Sequence, residues 1–429
     1  VSTAKAEADE PVESAPEAPL LELRDGLPDV AETPAALSDV VAGLHRGHGP
    51  IAIDVERASG YRYSPRAYLI QLRREGSGTA LVDPIAFDDL SELAEALRAD
   101  EWILHAASQD LPSLSEIDMR PSVLFDTELA GRLLGYPRVG LGTLVETVTG
   151  FRMRKEHSAV DWSKRPLPQP WLEYAALDVE VLIELRERLS LELEEAGKTE
   201  WARQEFAHVL SAAPAAPRQN PWRRTSGLHR ARGRRAMAAV RELWVTRDEI
   251  AARRDISPGR IIPDSAIVEA ANALPTDRRS LLGLKGFRGR GAERYSRQWV
   301  EALEVARRLP DAELPPLTAK YDGPPPPRAW AERDPVAARR LRAARAALTT
   351  LAEELNLPLE NLLTPDYVRR LLWETPDPGD DALPEVVAER LRGLGARAWQ
   401  VELTTDLLAE AIVSAGADPA EPTAPAEEV

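Results

Sequence analysis

No cysteine occurs in the 429 residues, which excludes a disulfide scaffold, a thiolate zinc site and a cysteine nucleophile together. Any metal is left to carboxylates or to the six scattered histidines. No uninterrupted apolar run approaches the length that crosses a bilayer. The stretch Val1–Glu22 is acidic and lacks the apolar core of a signal peptide, so the expectation is a cytoplasmic protein with no membrane partner. Lysine is scarce beside arginine, while alanine and proline abound, which reads as a GC-rich coding bias without functional meaning.

What is present is ordinary in bulk and uneven along the chain. A hydrophobic content of 44% and a charged content of 29% are those of a globular protein, and the length allows two to four domains. The net charge of −16 is the wrong sign for a nucleic-acid binder, but it hides an asymmetry. Residues 218–308 hold 21 Lys/Arg against 10 Asp/Glu, a local +11, whereas residues 1–34 hold 2 against 9. Only the first of these segments suits a polyanion.

Composition breaks divide the chain. Residues 1–34 and 416–429, rich in Ala, Pro and Glu, are expected to be disordered acidic tails. Residues 211–224 and 310–332 read as linkers, the second stiffened by a run of prolines. The folded parts are then 35–210, 225–309 and 333–415. In the first, Ile51–Glu56 and Ala67–Leu72 alternate with period two, Ala80–Asp83 is a third strand, and Trp102–His105 a fourth. Helical patterns run from Phe87 to Leu97 and over a long stretch from Pro170 to Ala196. A mixed sheet flanked by helices is expected. The other two parts carry only helical periodicity and look duplicated: residues 250–263 parallel 351–364, and each part ends in a glycine turn and a helix bearing Trp299 or Trp399.

Three carboxylate motifs carry the chemistry. Residues two apart in a strand share a face, so Asp54 and Glu56 project together while Ile51, Ile53 and Val55 enter the core. Two converging carboxylates suit a hard divalent cation; an isolated Asp-x-Glu also reads as the solvated face of an edge strand. Asp110 falls at a helix start beyond the carboxyl end of a strand, where open α/β sheets place their sites, and it also reads as a helix cap beside Ser108. Tyr174 and Asp178, four apart on the late helix, reach one pocket or form a plain surface pair. His105 reads as a packed or hydrogen-bonding residue, Asp126 as a cap for the next helix, and Trp162 as a loop anchor.

As an ordered set, Asp-x-Glu, the Asp after His-Ala-x-Ser-x, and Tyr-x-x-x-Asp resemble the exonuclease motifs of the DEDD superfamily, tyrosine subclass. Tyr68–Leu72, Leu124–Thr127 and Asp161–Leu167 look like ribonuclease D, and the arginine-rich segment at 225–308 is similar to the HRDC (helicase and RNase D C-terminal) domain. The resemblance implies a ribonuclease H-like α/β exonuclease domain followed by two all-α HRDC-like domains, the second divergent. It implies that Asp54, Glu56, Asp110 and Asp178 hold two divalent ions, Mg²⁺ or Mn²⁺, and that Tyr174 orients or deprotonates the attacking water. The implied activity is 3′–5′ trimming of structured RNA such as precursor tRNA. A DNA exonuclease taking single-stranded DNA in repair, and a catalytically silent nucleic-acid-binding scaffold, remain as alternatives.

Basic residues supply the remaining candidates. Arg154, Lys155, His157, Lys164 and Arg165 crowd the stretch before the last motif, and Lys164 and Arg165 are expected on substrate phosphates; the plainer reading pairs Arg165 with Asp161. In the basic segment, Arg230 and Arg234 lie in an arginine cluster, and Lys285 sits in the glycine-bearing Leu284–Gly291 stretch, where backbone N–H groups suit a phosphate. The acidic third part is expected to build its own core or to pack on the catalytic domain.

Overall fold

The computed structural model describes residues 18–154, 159–212, 218–318, 323–377, 379 and 382–417. Its sheet is built from β1 (Val30–Ala31), β2 (His48–Arg57), β3 (Ala67–Glu75), β4 (Gly78–Val82), β5 (Glu101–Leu104) and β6 (Val123–Asp126). The spatial order is β1-β4-β3-β2-β5-β6, antiparallel for β2/β3 and β3/β4 and parallel for the other pairs. The motif strand β2 is therefore central. Ile51, Ile53 and Val55 are buried on one side, and on the other Ala52 and Glu56 are buried with Asp54 half-buried. The solvated-edge reading of Asp54 and Glu56 thus falls away.

Helices cover both faces: α1 (Pro34–Arg46), α2 (Ser91–Leu97), α3 (Leu111–Ser115), α4 (Thr127–Leu133), α5 (Leu141–Thr149), α6 (Gln169–Glu180), α7 (Leu182–Glu195) and α8 (Thr199–Ser211). The long helix expected from Pro170 to Ala196 is two helices, divided at Val181 (φ −106°, ψ −6°). The break lets α6 pack over β2, β3 and β4 while α7 packs on α4 and α5. Part of the expected tail is also structured. Pro19 to Leu21 bond to Arg152, β1 pairs with β4, and Pro34 opens α1 with Thr33 Oγ1 accepting the Ala36 N–H. The rest of that tail, residues 1–17, lies outside the described residues, as do 418–429.

The basic part folds as α9 (Gly233–Arg254), α10 (Pro258–Ile261), α11 (Asp264–Ala273), α12 (Arg278–Leu282), α13 (Arg290–Arg294) and α14 (Ser296–Arg308), around a separate core that includes Met237, Leu243, Phe287 and Trp299. The last part comprises α15 (Trp330–Arg333), α16 (Pro335–Glu354), α17 (Leu359–Leu362), α18 (Pro365–Trp373), α19 (Leu383–Leu394) and α20 (Ala398–Ala417). The matched segments share a local geometry: Asp255 and Asn356 both adopt a left-handed backbone (φ 46° and 50°), and a four-residue helix follows each.

The last part has apolar packing of its own and also shares one core with the sheet domain. Trp399 stacks on Trp201 with centroids 4.8 Å apart and donates Nε1–H to Glu205 at 3.0 Å. Lys198 Nζ donates to the Leu133 and Leu355 carbonyls at 2.7 Å each. The proline run is no bare spacer, because Trp330 is fully buried and its indole N–H donates to the Pro325 carbonyl at 2.7 Å. Among the described residues, no helix is long and apolar enough to cross a membrane.

Candidate active site

The carboxylates converge where β2, β5 and α6 meet. Strand periodicity brings Asp54 and Glu56 to the face beneath α6, and one helical turn brings Tyr174 and Asp178 down onto them. One carboxylate oxygen from each of Asp54, Glu56 and Asp178 lies within 4.8 Å of the others. Asp110 joins them in lining a cleft of about 590 Å³. It follows a turn whose Ala106 is left-handed (φ 58°), and its side chain caps nothing, so the helix-cap reading does not hold. The turn is fixed by Asp126, whose carboxylate accepts the N–H groups of Ala106, Ala107, Glu128 and Leu129 at 2.8–3.2 Å. Asp126 thus caps α4, as expected, and also anchors the Asp110 turn.

Electrostatics show what the cluster needs. Burial, and then the neighbouring Asp54, Asp178 and Asp110 charges, push Glu56 up to about 10. Burial and the Asp54 charge raise Asp110 to about 8, and burial raises Asp54 to about 6. Asp178 is held well above the ordinary range by burial and by Asp54. Arg57 is a nearby cation that opposes the shifts of Asp54, Glu56 and Asp110, and it is spent on Asp110. An all-oxygen donor set this crowded fits a hard divalent cation, whose charge reverses the repulsion. The phenol of Tyr174 hydrogen-bonds with Asp178, and burial with the surrounding negative charge raises its pKa, so it stays protonated. His105 lines the same cleft with Nδ1 2.9 Å from Thr127 Oγ1, and burial lowers it to about 4. A neutral, hydrogen-bonded imidazole agrees with the sequence reading.

The basic candidates divide. Arg165 is not aimed at a substrate: its guanidinium pairs with Asp83, Nη2 to Oδ1 at 2.7 Å and Nε to the other oxygen, and also donates to the carbonyls of Tyr68, Trp162 and Lys164. All five of its N–H groups are spent, so it bolts the loop to the end of β4. Asp161, the partner expected from sequence, instead accepts from Ser163 Oγ at 2.6 Å. Lys164 is exposed on that loop and does not line the cleft. Trp162 is fully buried against Trp171, as an anchor should be. Arg154 does line the cleft, whereas Lys155 and His157 lie outside the described residues. Arg230 and Lys285 line a second cleft, of about 860 Å³, in the basic domain. Arg234 does not, since its guanidinium donates to the Leu314 carbonyl and ties α9 to the following segment.

Arg57 was missed from sequence because strict alternation turns it away from Glu56. A register shift pairs Glu56 with Leu69 but Arg57 with Ala67, and this irregularity re-aims the side chain into the cleft. The start of α5, from Gly140 to Thr143, also borders the cleft, and no sequence signal marked it.

A central strand bearing two acids, an acid beyond the next parallel strand and a Tyr–Asp pair on the covering helix match the pattern that the resemblance implies for a hydrolytic 3′–5′ exonuclease. The comparisons agree: residues 28–194 match the 3′-5′ exonuclease domain model, 236–303 the HRDC domain, and 323–412 the 3′ to 5′ exonuclease C-terminal domain. The chain is 34% identical to ribonuclease D of Granulibacter bethesdensis, over 62% of this chain and 69% of that one. It is 33% identical to that of Gluconacetobacter diazotrophicus, over 70% and 78% respectively. Among solved structures, a protein from Bifidobacterium adolescentis superposes with a TM-score of 0.84 at 38% identity, covering 92% of this chain and all of that one (100%). Escherichia coli RNase D, described as an exoribonuclease involved in structured RNA processing, gives 0.62 at 26% identity, over 85% and 98%. The chain belongs to the ribonuclease D family.

Proposed function

We propose that this exonuclease trims the 3′ ends of structured RNA, such as precursor tRNA, using two divalent ions, Mg²⁺ or Mn²⁺, held by Asp54, Glu56, Asp110 and Asp178. The observation that carries the reading is the meeting of the Asp54, Glu56 and Asp178 oxygens within 4.8 Å, with Tyr174 hydrogen-bonded to the last of them. When bound, such ions supply Lewis acidity for the entering water and for the departing 3′ oxygen. In the overall step the water oxygen bonds to the terminal phosphorus and the P–O3′ bond breaks. The electron pair leaves on the 3′ oxygen, which takes up a proton.

The chain's own residues prepare that step. Tyr174, hydrogen-bonded with Asp178, orients the attacking water or helps to deprotonate it. Arg57 holds Asp110 in place, and Arg154 at the cleft wall supplies positive charge for the scissile end of the strand. At a distance, Arg230 and Lys285 offer phosphate contacts in the HRDC cleft, whose walls are clamped by side-chain bonds. Asn272 accepts Arg232 N–H and donates to the Arg230 carbonyl, while Glu269 accepts the N–H groups of Lys285 and Gly286. Lys164 remains as an exposed contact for an outer phosphate.

Digestion of 3′-tailed tRNA, single-stranded RNA and single-stranded DNA, side by side in Mg²⁺ and in EDTA, tests the proposal. Mg²⁺-dependent shortening of the tailed tRNA to a defined end is expected. Preference for the DNA, or equal rates in EDTA, contradicts it.

A further inference from the structure

Gln71 lies on β3 directly opposite Asp54 of β2, with Leu81 of β4 on its other side. Side chains that face each other across a ladder project from the same side of the sheet, so the Gln71 amide shares the face of Asp54. Leu69 and Leu81 on that face pack with Ala175 and Ala176 of α6, the helix that brings Tyr174 and Asp178 to the site. Gln71 is completely buried there, and among the described residues neither Nε2 nor Oε1 has a hydrogen-bond partner. Its neighbour along the same strand face, Arg73, is by contrast partnered, with Nη1 at 3.1 Å from Asp25, 2.7 Å from Thr79 and 3.0 Å from Glu180.

An idle buried amide costs stability, and an apolar side chain of the same shape avoids that cost. The amide gains a use when a carboxylate oxygen turns toward it. Asp54 is the carboxylate paired with it across the ladder, and its oxygens are acceptors with several sites to fill. We propose that Gln71 is a positioning residue of the exonuclease: its Nε2–H donates to the Asp54 carboxylate in the metal-holding state and fixes that ligand's orientation. The inference rests on the metal reading of the cleft.

The test compares wild-type protein with Gln71→Met in three measurements: melting temperature in EDTA, Mn²⁺ affinity by calorimetry, and kcat and KM on single-stranded RNA. Gln71→Met is expected to melt at or above the wild-type temperature in EDTA, because two unpaired polar atoms are gone. It is also expected to bind Mn²⁺ and turn over roughly 10- to 100-fold less well, with KM nearly unchanged. Wild-type affinity and kcat in the variant overturn the proposal. So does a lower melting temperature with unchanged affinity, which marks a purely structural role. If wild-type protein itself binds no Mn²⁺, the metal reading fails, and that outcome is separate. A structure of wild-type protein with Mn²⁺ gives a result that does not depend on the variant folding. Nε2 within about 3.2 Å of an Asp54 carboxylate oxygen supports the proposal, and an amide bonded elsewhere overturns it.

Discussion

Arg57 reaches across the mouth of the cleft to Asp110, its Nη2 3.3 Å from Oδ1, while Nη1 donates to the Gln109 carbonyl at 2.7 Å. One guanidinium thereby holds the Asp110 carboxylate and fixes the turn that carries it. Arg57→Ala is expected to lower kcat roughly 10- to 100-fold and to weaken the metal dependence of the rate. Steady-state rates over a Mg²⁺ titration check this, and an unchanged Mg²⁺ midpoint argues that Asp110 needs no such support.

Asp54 faces both Glu56 and Asp178, so its removal dismantles the oxygen cage while relieving repulsion. Asp54→Asn is expected to cost at least about a thousandfold in rate, the equivalent of roughly 4 kcal/mol of charge stabilisation. It should nonetheless fold and bind RNA. Single-turnover assays paired with filter binding separate the two effects.

Tyr174→Phe keeps the ring and loses the hydroxyl bonded to Asp178. The expectation is a roughly 100-fold drop in kcat with the Mn²⁺ affinity retained. A variant that turns over like wild type removes Tyr174 from the chemistry.

The acids at the site bind protons more tightly in the folded chain than in the unfolded one, with Asp54 near 6, Asp110 near 8 and Glu56 near 10. Between about pH 4, where an unfolded carboxyl loses its proton, and about pH 10, the folded state therefore carries the extra protons. The contribution of these groups to stability is fully present at the acid end and is lost as pH rises. In EDTA the melting temperature of wild type should thus fall more steeply with pH than that of Asp54→Asn, and Mg²⁺ should flatten the wild-type curve. Parallel curves for the two proteins in EDTA contradict the assignment.

The shared faces of Asp54 with Glu56 and of Tyr174 with Asp178 were legible from local periodicity, while their reading as metal-holding acids, with Asp110, came from the resemblance of the ordered motifs. Alternation over Ile51–Glu56 and the four-residue step from Tyr174 to Asp178 survive any tertiary context. The partners of long side chains were not legible. Arg165 sits in a basic stretch that reads as phosphate-binding, yet its partner Asp83 lies 82 residues away and is met only through the fold. Arg57 was hidden by a local register shift, which periodicity does not reveal. The two-residue strand β1 is too short for a pattern to mark, so its residues read as tail until β4 is there to pair with them.

Arg230 and Lys285 share the HRDC cleft, and removing either cation should reduce the salt dependence of RNA binding by about one unit of log–log slope. The double variant Arg230→Ala/Lys285→Ala is therefore expected to show a slope shallower by about two, with kcat on a short oligonucleotide unchanged. Dissociation constants measured across a salt series give the slope, and an unaltered slope removes this cleft from the RNA path.

Calorimetric titration of Mn²⁺ into wild type and into Asp54→Asn bears most directly on the carboxylate cage. The expected result is two ions bound per wild-type chain, and at least one lost in the variant with its melting temperature in EDTA preserved. Equal binding by the two proteins, or none by wild type, contradicts the account.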